Sequence, residues 1–144
     1  MDIDLYLHTD KSECLAIYNS NDDQSWHRFL LNDFEAFLDN ELDDLQKIKI
    51  RSHGELVGFL GSTIFDEFIF IEWLIVSKPF QNFGFGKSLT RHVVNSARGK
   101  IVRVCTPPNN LEFYKRCGFA VVDIIKGAYP DGKDKVRMQY TANT

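Results

Sequence analysis

The sequence predicts an α/β fold built on a mixed, mostly antiparallel sheet of about seven strands flanked by about four helices. Three observations carry that expectation. Apolar runs alternate with tight turns between Ile48 and Val76, which is a hairpin pattern. The most hydrophobic run, Phe68 to Val76, ends at a turn containing Pro79, Gly84 and Gly86, and a segment of helical period follows. A second short helical segment, Leu111 to Arg116, precedes another strand-like run. Hairpins pair antiparallel, whereas a helix that returns the chain between strands allows parallel pairing, so the sheet is mixed.

The elements follow in order. Ile3, Leu5 and Leu7 alternate with Asp2, Asp4 and Tyr6 in a first strand. Asp10, with Glu13 at the capping-box position, starts a helix that buries Cys14, Leu15, Ile17 and Tyr18. The turn-rich stretch from Asn19 to Ser25 ends it. Trp26, Phe29, Leu30 and Leu31 read as helical. Asp33 caps a further helix whose apolar positions are Phe34, Phe37, Leu38 and Leu42. Ile48 and Ile50 begin a second strand, and His53-Gly54-Glu55 turns the chain into a third, Leu56 to Phe65. Asp66-Glu67 turns it again into Phe68 to Val76, a central strand. The next helix buries Phe85, Leu89, Val93 and Ala97, and Gly99 ends it. Ile101 to Cys105 is a fifth strand, stopped by Pro107 and Pro108. After the short helix come Phe119 to Ile125, a loop from Gly127 to Lys133, and a last strand from Val136 to Tyr140.

A chain of 144 residues without repeats or linker reads as one domain spanning residues 1–144. Hydrophobic residues make up 44% and charged ones 26%, an ordinary soluble balance. The net charge of -3 argues against a nucleic-acid partner, whose footprint would be basic. No apolar run is long enough to span a bilayer and the first residues do not form a signal peptide, so no membrane is expected. Cys14, Cys105 and Cys117 fit neither a disulfide framework nor a zinc site, which points to a reducing cytoplasm. His8, His27, His53 and His92 share no metal spacing, and no metal is expected.

The functional signal is the glycine turn. Glycines where a strand gives way to a helix let a ligand approach the backbone closely and leave N–H groups unpaired at the positive end of the helix dipole. Such a turn suits a phosphate-bearing cofactor. A dinucleotide turn would need a third glycine, but Leu89 occupies that place. A P-loop would end as Gly86-Lys87-Ser88 does, but it would start with glycine where Gln81 stands. The pattern [QR]-x-x-G-x-[GA] is filled completely by Gln81, Gly84 and Gly86. Downstream, Asn109-Asn110-Leu111-Glu112-Phe113-Tyr114-Lys115-Arg116-Cys117-Gly118-Phe119 joins an asparagine loop to an F-Y-x-x-x-G-F ending. In their order, spacing and surrounding elements, these two motifs resemble the GNAT superfamily of acyl-CoA-dependent N-acyltransferases, across almost the whole chain.

The resemblance implies transfer of an acetyl group from acetyl-CoA, as cosubstrate, to a primary amine by direct attack. It implies cofactor contacts from Leu74, Ile75 and Val76, with the N–H of Val76 or a near neighbour polarising the acetyl carbonyl. Further contacts are implied from Gln81, Asn82, Phe83, Gly84, Phe85, Gly86, Lys87 and Ser88, with the amides from Phe83 through Ser88 facing the pyrophosphate and Gln81 beside it, and from Asn109 or Asn110. Prolines stand where family members often carry that asparagine. Tyr114 is implied as the acid that protonates the leaving thiolate. An attacking amine must also lose a proton, and Glu72 is the candidate base, directly or through water. It interrupts a strand that otherwise reads as buried, so it should face a polar cleft or resist ionisation. Lys87 and Arg91 either help with phosphates or form a solvated face. Trp26 and Trp73 either line the acceptor pocket or pack in the core.

The acceptor is a small-molecule or peptide amine. Six acidic residues and no basic one lie between Asp33 and Asp44, either a rim that draws a cationic amine or a solvated helix face. A homodimer is an assembly common in the family, with the last strand and the Phe113 region as candidate surfaces. The rival functions are a non-catalytic acyl-CoA-binding sensor on the same fold and a P-loop-like nucleotide binder.

Overall fold

The computed structural model of the chain describes residues 2–141. Seven strands form one sheet: β1 (Asp2–Leu5), β2 (Leu45–Ser52), β3 (Glu55–Ile64), β4 (Phe68–Val76), β5 (Ile101–Thr106), β6 (Ala120–Ile125) and β7 (Lys135–Tyr140). Their spatial order is β1-β2-β3-β4-β5-β7-β6. Only β4 and β5 run parallel, because a helix joins them; every other neighbouring pair is antiparallel. The helices are α1 (Lys11–Ser20), α2 (Leu31–Asp39), α3 (Phe85–Ser96) and α4 (Leu111–Arg116). The mixed α/β class expected from the sequence is the class observed.

The helices cover both faces of the sheet. On one face, Leu89 and Val93 of α3 and Tyr114 of α4 pack on Ile48, Leu60, Ile71, Val104 and Met138. On the other, Cys14, Ile17 and Tyr18 of α1 and Phe34 and Leu38 of α2 pack on Phe59 and Ile75. The four-residue spacing of Leu89, Val93 and Ala97 turns one stripe of α3 inward, and all three are buried. Each large apolar side chain so buried contributes about 1.5–3 kcal/mol.

Several local expectations change. β1 stops at Leu5, and Leu7 lies outside it at 58% exposure. The helical reading of Trp26 to Leu31 resolves into a single 3-10 turn, Ser25–Arg28, before α2 begins at Leu31. Asp33 therefore sits in the first turn of α2 and not at its cap, and Leu42 lies past its end, exposed. Asp10 precedes α1 without capping it through its side chain. Its carboxylate accepts the Leu7 N–H at 2.8 Å and is paired with Lys49 and Arg51 of β2.

Two irregularities in β4 position the site. Gly61 pairs with Trp73 and Ser62 with Ile71, so Glu72 is the extra residue of a β-bulge. The parallel ladder to β5 ends at Ile71 and Val104. Beyond it β4 runs on from Glu72 to Val76, while Cys105 and Thr106 of β5 pair with β7 instead. The two strands splay apart, and one edge of β4 is left open.

Candidate active site

The splay opens a cleft of about 990 Å³. Of the residues expected to bind cofactor or act on substrate, Glu72, Leu74, Ile75, Val76, Gln81, Asn82, Gly84, Phe85, Gly86, Lys87, Asn109 and Tyr114 all line it. Phe83 and Ser88 do not. Phe83 points into solvent at 70% exposure. The Ser88 N–H donates to the Gly84 carbonyl at 3.0 Å and so makes the first bond of α3. That takes one amide, Ser88's, out of the expected run of available amides. Among the described residues, those of Phe85, Gly86 and Lys87 precede that bond and have no backbone acceptor.

The glycines of the turn have different tasks. Gly84 holds φ at +87°, a left-handed conformation that lets the chain enter α3, and nothing lies within 4 Å of where its Cβ would be. A Cβ on Gly86 would sit 3.3 Å from Cζ of Phe113 and 3.5 Å from Cγ2 of Val76. Gly86 thus serves close packing of α3 on α4 and β4, besides leaving its amide accessible. Gly86→Val is expected to cost about 1–3 kcal/mol by overpacking and to show no rise in melting temperature with coenzyme A, where the wild type is expected to show one. Thermal denaturation with and without coenzyme A reads both.

A buried side chain that sequence reading treated as part of a turn organises this region. Asn21, 3% exposed, donates through Nδ2 to the carbonyls of Ile17 (3.0 Å) and Val76 (3.1 Å). Gln81 Nε2 donates to Asn21 Oδ1 at 2.7 Å and to the Val76 carbonyl at 3.1 Å. The amide of Gln81 is thus spent on bracing the turn. Ser77 N–H donates to Val57 of β3, so the peptide groups of the preceding residue, Val76, face the other way, toward the open edge. The Val76 carbonyl on that edge is taken up by Asn21 and Gln81.

Glu72 is exposed, so its carboxylate is solvated, and Thr63 Oγ1 donates to its Oε2 at 2.8 Å. Trp73 beside it packs on Phe34 with ring centroids 5.0 Å apart, which ties its indole to the core while its edge lines the cleft. Tyr114 is buried at 6% exposure, stacked edge-on between Phe113 and Phe119. Burial, with smaller contributions from Cys117 and Tyr129, raises its pKa well above that of a free phenol, so the hydroxyl keeps its proton. Tyr129, in the loop between β6 and β7, also faces the cleft, and burial pushes its pKa up to about 12. It was not singled out in the sequence, where a tyrosine in a Gly- and Asp-containing loop carries no periodic signal.

Other expectations separate. Asn109 and Asn110 both line the cleft from the single turn before α4. Lys87 lines it, but Arg91 lies on the exposed face of α3. The acidic residues from Asp33 to Asp44 do not line it; Glu35 and Asp39 instead pair with Lys11 at 3.1 and 2.9 Å. The thiols of Cys105 and Cys117 are both pushed up by burial, away from nucleophilic use. No helix among the described residues is long and apolar enough to cross a membrane.

Comparison with known proteins meets this geometry. No curated protein matches the sequence significantly. Among solved structures, the ribosomal-protein-S18-alanine N-acetyltransferase from Escherichia coli superposes with a TM-score of 0.84 at 18% identity, covering 99% of this chain and 94% of that one. The ribosomal-protein-alanine N-acetyltransferase from Brucella melitensis gives 0.82 at 18% identity, over 99% and 100%. An aminoglycoside 6'-N-acetyltransferase complexed with coenzyme A gives 0.72 at 14% identity, over 98% and 97%. At such identities the likeness is one of fold. The sequence model of the acetyltransferase (GNAT) family matches residues 8–119. With the splayed strands, the glycine turn and the Phe-Tyr helix in one cleft, the chain belongs to the GNAT acetyltransferase family.

Proposed function

We propose that this protein transfers an acetyl group from acetyl-CoA to a primary amine by direct attack within a ternary complex. One observation carries the reading: the open edge of β4, the unpaired amides at the start of α3, Glu72 and Tyr114 all face one cleft. The amides of Phe85, Gly86 and Lys87, with the helix dipole behind them, fit a pyrophosphate. Lys87 and Asn109 line the same cleft, while Gln81 holds the turn in shape. Acetyl-CoA bound there supplies an acyl group already activated as a thioester.

The chain's own groups do the rest. The outward N–H of Val76 is placed to steady negative charge growing on the acyl oxygen. Glu72 takes the proton that the ammonium must lose, directly or through a water. Tyr114 donates its phenolic proton to the departing sulfur. No covalent bond to the enzyme is needed, in keeping with cysteines held as thiols.

The test is a panel of amines with acetyl-CoA, read as free thiol, on wild type and Glu72→Gln. Water can still accept the proton when Glu72 is gone, so kcat is expected to fall about ten- to a hundredfold, the low end for a lost general base. The KM for acetyl-CoA should hold. Wild-type protein that binds coenzyme A but releases thiol with no amine would overturn the reading in favour of a sensor.

A further inference from the structure

The acceptor end of the cleft has a chemistry of its own. It lies beyond Glu72, between the chain after α1 and the loop joining β6 to β7. The carboxylates lining the cleft are those of Glu72, Glu112 and Asp131. Glu112 pairs with Lys115 at 3.9 Å. Asp131 is hydrogen-bonded by Ser25, accepts the Lys133 N–H at 3.0 Å and has the positive charge of Lys133 near it. Glu72 has the neutral Thr63 hydroxyl at 2.8 Å, and among the described residues it forms no ion pair. The basic residues lining the cleft, Lys87 and Arg116, come from α3 and α4 at the cofactor end. Among the described residues, Glu72 is thus the one cleft-lining carboxylate whose partner is only a neutral hydroxyl. The same cleft is lined by four aromatic side chains, Trp26, Phe29, Trp73 and Tyr129. Phe29 stands 55% exposed there, an apolar face held against water.

We infer that the acceptor is a primary monoamine with an aromatic or bulky apolar group within a few bonds of its ammonium. The ammonium meets Glu72 and the faces of the neighbouring rings. The hydrocarbon part displaces water from Trp26, Phe29 and Tyr129. A polyamine would have to seat its second ammonium among these rings without a free carboxylate, which is unfavourable. The inference rests on the transfer reading above, whose amine it specifies. An arylalkylamine and a peptide beginning with an aromatic residue offer the same chemistry, and the test separates them.

The experiment compares phenethylamine, a phenylalanyl-glycine amide, butylamine and spermidine by kcat/KM for thiol release. In parallel, quenching of tryptophan fluorescence with coenzyme A present reads binding near Trp26 and Trp73. One of the two aromatic amines is expected to exceed spermidine about tenfold or more in kcat/KM, and whichever leads identifies the source. Phe29→Ala, an exposed position that leaves the core intact, should cut the aromatic-to-butylamine ratio by about tenfold. Spermidine equal to or better than both, or a ratio untouched by Phe29→Ala, overturns the inference while the transfer reading stands. Quenching by aromatic amines without thiol release upholds the amine class and overturns transfer. Neither quenching nor release with any amine overturns both.

Discussion

Replacing Tyr114 by Phe is expected to lower kcat by about a hundred- to a thousandfold, in the range for loss of a positioned acid. The KM for acetyl-CoA and the melting temperature should move little. The ring is held on two sides by Phe113 and Phe119, contacts that phenylalanine keeps. Only the hydroxyl goes, and with it the proton that the proposed reaction gives to the departing sulfur. Because burial raises the Tyr114 pKa, the wild type should not lose activity through this group as pH rises across the neutral and mildly alkaline range. A phenol with an ordinary pKa would begin to ionise near pH 10. The measurement is a pH profile of kcat for both proteins, with thermal denaturation as control. An unchanged kcat in Tyr114→Phe would remove the tyrosine from the chemistry and leave it a packing residue.

Asp10→Ala should be the most damaging substitution for the fold, costing about 3–5 kcal/mol by stranding a buried charge. Lys49 is only 6% exposed, and Asp10, at 4%, is its salt-bridge partner. Burial alone would raise the Asp10 pKa. The hydrogen bonds from Lys49 and Leu7 and the charges of Lys49 and Arg51 outweigh it and hold the carboxyl below its usual range. The sign follows. A carboxyl with a lowered folded-state pKa stabilises the protein above its unfolded value and loses that contribution as pH falls through the folded one. The gap between wild type and Asp10→Ala should therefore be full at neutral pH and shrink below about pH 4, where the unfolded carboxylate takes up its proton. Urea denaturation at a series of pH values tests this. A gap that widens in acid would show that the pair is not the cause.

Which parts of this molecule could be read from the chain depended on the distance over which each signal acts. The glycine turn and the stretch from Asn109 to Phe119 carry their information within a dozen residues, so the elements that line that end of the cleft were legible. Glu72 was visible too, as a charge interrupting apolar neighbours. The bulge that makes Glu72 an extra residue opposite Gly61 and Ser62 was not, because it exists only in the register with β3. Asp10 looked like a helix cap because its true partners are far along the chain, on β2. The acidic run after Asp33 read either as a rim of the groove or as a solvated helix face. Lys11, on another helix, takes up two of its charges, and the groove lies elsewhere. The insertion of β7 between β5 and β6 likewise follows from packing and leaves no local mark.

Asn21 has one further consequence. The segment that carries Trp26 and Phe29 leaves α1 just after it, and the turn that carries the amides of α3 hangs from Gln81, its hydrogen-bond partner. Both are moored to the same carbonyl, that of Val76. The proposed donor and acceptor platforms therefore share a single datum point and cannot drift relative to each other without undoing it. The sub-ångström alignment that a reaction between two bound substrates would demand is thus kept here by one buried carboxamide.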